Sequence, residues 1–149
     1  MRMNITFKKS LEMGFIVLAG FVLFNVAFLF VALLNRAFGY FALGEAQNPK
    51  ITLAVFVVIL IVLSWLIFKS KMSTLLKATY LTMPLMSLMV IVGIYTTPLP
   101  QWVTFSLEGL LIGLCVGYIR MKHLEWEYTF SVLYCTVLGL IIILFNVQI

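Results

Sequence analysis

The chain has 149 residues, 64% of them hydrophobic and 10% charged, with a mean hydropathy of +1.16, whereas soluble domains carry about a quarter charged residues. That balance excludes a water-soluble fold and leaves room for roughly four to six helices across a bilayer core about 30 Å thick. The net charge of +5 belongs with helix orientation and contact with anionic head groups, so no nucleic-acid partner is expected.

The first apolar run spans residues 14–35. Its basic start, "MRMNITFKK", has the look of a secretory signal. The run continues to Leu34 with large Phe residues and no small-residue cleavage motif, which predicts a retained anchor. Asn25, amid "FVLFNVAFLF", is a candidate intramembrane polar site, because a side-chain amide hydrogen-bonds across helices for about 1 kcal/mol. Residues 36–50 read as an outer connection whose aromatics, glycines and Glu45 fit either a plain loop or a short amphipathic turn in the interface.

The second run, 51–68, is apolar all round until Ser64 and belongs at the periphery. The third, 75–97, holds Pro84, an expected kink. It also holds Met83, Met86 and Met89, a stripe that suits adaptable packing better than coordination of a soft metal. "TTPLPQ" then predicts a tight turn, since its prolines deny helix and backbone donors alike.

The fourth run, 102–119, contains "SLEGLLIGLCVG". At about 100° per residue, Gly109, Gly113 and Gly117 fall within about 80° of one another, and Ser106 joins their face. Lipid is as apolar as leucine, so helices in a membrane associate through close packing at small residues. The fifth run, 128–147, carries Ser131, Cys135 and Gly139, also four apart. The spacing predicts an antiparallel pair with Gly117 near Ser131, Gly113 near Cys135 and Gly109 near Gly139. Leu107, Leu111, Leu114 and Tyr118 fall on the opposite side and should face lipid.

Glu108 sits at the edge of the glycine face, on a strip with Thr104, Ile112 and Cys115, on the order of 9 Å along the helix from Trp102. A charged, unpaired acid at that depth costs several kcal/mol, so Glu108 should be protonated or find a partner. Asn25, Thr82, Ser87 and Tyr134 are the polar candidates, and Arg36 and Lys50 are the cations on the outer side. Three roles follow: a satisfied carboxyl that locks the bundle, a site that pairs with a cation on another subunit, or a proton- or cation-exchanging carboxylate of a transporter.

Orientation follows from the basic residues. With the first residues inside, Arg2, Lys8, Lys9, Lys69, Lys71, Lys77, Arg120 and Lys122 share the inner side and only Arg36 and Lys50 the outer, eight against two. Catalytic and metal constellations are thin, because the sequence has no Asp and His123 is its one histidine. His123 and Glu127 stand four apart, a spacing that supplies two metal ligands when helical, but no third ligand joins them. Cys115 and Cys135 have no CxxC or paired extracellular spacing.

The expected molecule is therefore an all-α integral membrane protein of five transmembrane helices in one domain, cytoplasmic at its start and outside at its end, in the plasma membrane. Its expected work is that of a non-catalytic subunit or accessory factor of a membrane assembly, with the bilayer and other membrane subunits or its own copies as partners and no cofactor. The rival is an oligomeric proton- or cation-coupled transporter or channel component that uses Glu108.

Overall fold

The computed structural model describes residues 5–41, 49–96 and 98–144 and is all-helical. Five helices follow one another: α1 (Ile5–Phe41), α2 (Pro49–Lys69), α3 (Thr74–Thr96), α4 (Gln101–Met121) and α5 (Trp126–Leu144). Four of them, α1 to α4, are long and apolar enough to cross a membrane, and α5 is a shorter apolar helix over Trp126–Ile141.

The greatest departure from the apolar runs is α1, whose 37 residues extend roughly 55 Å at 1.5 Å per residue. The run at 14–35 marks only the part that suits lipid. Backbone hydrogen bonding continues beyond it at both ends, through Lys8 and Lys9 and again through Arg36 to Phe41. The segment expected as a loop from residue 36 is thus helical to Phe41, and Gly44 and Glu45 lie outside the described residues, as do Thr97 and residues 145–147.

Side-chain contacts give the running directions. Tyr134 reaches the Val17 carbonyl, Lys9 lies over Trp126, and Ser131 and Cys135 reach Ala78 and Thr82 in that order, so α1, α3 and α5 run parallel. α2 and α4 run the other way, with Phe68 at the end of α2 against Tyr80 near the start of α3 and Thr104 near the start of α4 against Thr96 at the end of α3. The α2–α3 turn is clamped by Lys77 Nζ, which donates to the Phe68 carbonyl at 3.0 Å. Between α3 and α4, Pro98 and Pro100 confine the chain to a turn closed by Leu99 N–H to the Thr96 carbonyl, 2.8 Å.

The hub is α3, which touches all four other helices. Three of its hydroxyls are absorbed locally: Thr79, Thr82 and Thr96 donate to the Leu75, Thr79 and Val92 carbonyls of their own helix, which satisfies hydroxyls where no water is present. Pro84 is buried within the helix and offers no N–H to the preceding turn. One core cluster joins Ala78, Leu85, Met86 and Met89 of α3 to Ile119, Tyr128, Val132 and Cys135; a smaller one joins Ala27, Phe56 and Leu60 across α1 and α2. The methionine stripe divides between them, Met86 and Met89 in the first and Met83 against the second.

The outside is as apolar as the inside. Leu18, Ile61, Trp102 and Leu114 are all exposed by more than 60%, a surface that water does not tolerate and hydrocarbon does. The chain is a multi-pass membrane protein whose apolar helix faces contact the lipid bilayer.

Candidate functional site

The small residues of α5 are filled, and the filling comes from α3. Ser131 is fully buried and its Oγ donates to the Ala78 carbonyl at 2.7 Å, while also lying 2.9 Å from the Glu127 carbonyl. One turn on, Cys135 Sγ lies 3.7 Å from the Thr82 carbonyl. Two turns on, Gly139 leaves a gap into which the Met89 methyl inserts: a Cβ there would collide with Met89 Cε. Ser131, Cys135 and Gly139 are three rungs of one parallel seam between α5 and α3.

That seam corrects the expected pairing of α4 with α5. Ideal Cβ atoms on Gly109, Gly113 and Gly117 would meet nothing within 4 Å, and Ser106, Gly109 and Gly113 are exposed. Ser106 Oγ turns back to the Trp102 carbonyl of its own helix, 2.8 Å away. α4 does touch α3 and α5, but through the neighbouring strip, where Ile112 and Cys115 pack on the core and Thr104 Oγ1 meets Thr96 Oγ1 at 2.7 Å. Leu111, expected toward lipid, packs on the same core, whereas Leu107, Leu114 and Tyr118 are exposed.

Glu108 belongs to that inward strip and is 6% exposed. An ideal Cβ on Gly139 would stand 3.7 Å from its Oε2, so the glycine expected opposite Gly109 makes room instead for the acid beside it. None of the hydrogen bonds or ion pairs among the described residues involves the Glu108 side chain. The anticipated partners are engaged elsewhere: Asn25 Nδ2 donates to Phe21 O at 2.8 Å, Thr82 to Thr79 O, and Tyr134 to Val17 O at 3.4 Å. Ser87 Oγ is buried without a hydrogen-bond partner, on the side of α3 away from Met89 by helical angle. Arg36 is exposed, and the Lys50 side chain lies outside the described residues.

Asn25 itself is exposed on the outer side of α1, which corrects its expected role as a clip to another helix of this chain. A lone amide that faces outward on a membrane helix satisfies its donor on the preceding turn. The close approach of α1 to α3 is made by Gly20 instead, where a Cβ would lie 2.6 Å from Thr82 Oγ1. Ile16, Gly20 and Ala27 are the buried positions among the described side chains of α1, a small-residue signal in "GFIVLAGFVLFNVA" that the more conspicuous asparagine masks.

The His123–Glu127 spacing is not that of one helix, because His123 lies in the turn after α4 and Glu127 in α5. His123 has φ 49° and occupies the left-handed position of a Schellman turn: its N–H bonds the Arg120 carbonyl and the Leu124 N–H bonds the Ile119 carbonyl. Glu127 is buried in the first turn of α5, and its Oε2 has no hydrogen-bond partner among the described residues. Cys115 and Cys135 are free thiols.

The site therefore has two adjoining parts: an open strip of Ser106, Gly109 and Gly113 that faces out, and a carboxyl that faces in from the next position. No family model, curated protein or solved structure matches this chain.

Proposed function

We propose that this protein is a non-catalytic subunit or accessory factor of a membrane assembly, held to its partner, or to a second copy of itself, through the outward strip of α4. One observation carries the reading: the small-residue strips of α4 and α5 are treated differently, that of α5 packed by α3 and that of α4 with open space where Cβ atoms on its glycines would stand. A glycine strip exposed to lipid gains little from lipid, whereas a second helix laid along it gains backbone-level packing. The five-span topology and cytoplasmic start belong to the same proposal. They are supported by the gathering of Lys8, Lys9, Lys69, Lys71, Lys77, Arg120 and Lys122 at the end of the bundle where α1 begins and by the positive-inside rule.

Gly113→Leu tests it. A Cβ at Gly113 meets nothing within 4 Å from the other helices, so thermal unfolding in detergent should be unchanged, while association, followed by cross-linking in native membranes, should weaken by about tenfold or more, the effect of overpacking a close contact. Unchanged association would sink the reading.

A second reading rests on Glu108, which is buried and unpaired beside Gly139 and Met89: a carboxylate that exchanges protons or cations in a small transporter. Glu108→Gln separates the two readings, because loss of proton or cation flux with intact assembly supports transport and retained flux removes it.

A further inference from the structure

Among the described residues no Cα atoms of α2 and α4 come within 8 Å of each other. Between their ends, on the side where the basic residues gather, lies a cleft of about 580 Å³, within the size range of small-molecule sites. α3 forms its floor through Leu81, and aromatic rings form much of its walls, with Trp65 and Phe68 from α2, Tyr118 from α4 and Tyr128 from α5. Two cations, Lys69 and Lys77, stand among the lining residues, with no acid among them.

Each lysine is placed rather than adrift. Lys69 Nζ sits 4.1 Å from the centre of the Trp65 ring, and Lys77 Nζ is fixed by the Phe68 carbonyl. A hydrogen bond to one carbonyl uses one of the three protons of an ammonium, so Lys77 retains two donors. Phe68 is in turn held by ring contacts with Tyr80 and Tyr128, centroids 6.5 and 6.4 Å away. The cleft is thus apolar and aromatic inside and doubly cationic, with positions set by packing.

We propose that this cleft is a site for one anionic phospholipid, with the phosphate held by Lys69 and Lys77 and the first part of an acyl chain lying between α2 and α4 over Leu81 and Cys115. The charge complementarity selects an anion, and the apolar walls select one that carries a hydrocarbon chain. The occupant arrives laterally from the leaflet on the basic side, where anionic head groups and lysines attract one another.

The test uses the full chain in a neutral detergent with phosphatidylglycerol or phosphatidylcholine added, and lipid retention read by native mass spectrometry. The wild type should retain one phosphatidylglycerol with at least about tenfold preference over phosphatidylcholine, given two ammonium contacts. Lys69→Gln with Lys77→Gln should abolish the preference, and Lys77→Arg should keep it. Lys71→Gln with Lys122→Gln, which removes the same charge from the same end, should also keep it. Equal loss in the two double variants would overturn the proposal in favour of diffuse surface charge. Cys115, which lines the cleft, supplies a readout on the unaltered protein: its alkylation by maleimide should slow about tenfold with phosphatidylglycerol and not with phosphatidylcholine. Equal protection by inorganic phosphate would show that the site takes a free anion, and no protection at all would show it empty of lipid; either result overturns the assignment.

Discussion

At the scale of single residues, the turn after α4 holds a histidine where glycine is favoured. A side chain at φ 49° crowds its own backbone, and the exposed His123 ring forms no hydrogen bond to offset this among the described residues. His123→Gly should therefore raise the stability of the protein by about 1 kcal/mol, seen as a higher melting temperature in detergent. Gly20 and Gly139 make an opposite pair. Gly20→Ala drives a methyl onto Thr82, a β-branched residue whose hydroxyl is already committed to Thr79 O; the cost should be about 1–3 kcal/mol. Gly139→Ala meets the mobile end of Met89, which swings aside, and should cost clearly less when both variants are melted side by side. A reversed order would mean that α1 and α3 separate more easily than their contact suggests.

Among the elements, sequence pattern located all five helices and misplaced one partnership. Apolar length marks where lipid is, so it found the runs and missed the turns of α1 that extend past them through Lys8, Lys9 and Arg36. Small residues four apart mark a face for close packing, and on α5 that face is buried. They do not name the partner. Ser131 and Cys135 bond to carbonyls of Ala78 and Thr82, and carbonyls are common to every residue, so nothing in the side-chain alphabet announces α3. Proximity along the chain favoured α4 instead, and α4 has turned its glycines outward. For Glu108, helical angle separated it from the glycine face, but its neighbours Gly139 and Met89 carry no charge or hydroxyl to signal an acid's surroundings. Ser131→Ala should cost about 1 kcal/mol in the same melting experiment, with the proposed association through α4 unchanged, because seam and strip are on different helices.

For the whole molecule, the alternation of helix directions puts the starts of α1, α3 and α5 at one end together with the ends of α2 and α4. If that end is cytoplasmic, then in a background with Cys115 and Cys135 replaced by Ala, Lys122→Cys should react with a membrane-impermeant maleimide only after the membrane is opened. Gln101→Cys should react in intact cells. The opposite pattern would invert the proposed orientation while leaving the bundle as described.

The parallel seam also sets an order of construction. α1 reaches Thr82 through Gly20 and is made before α3, but Ser131, which completes the other side of α3, follows Ala78 by 53 residues. At about 5–20 residues per second, α3 waits several seconds in the bilayer with one flank uncovered, while α4 is laid down between. Among the five described helices α5 is made after the others, so the hub gains its second flank only once Ser131 and Cys135 have been synthesised.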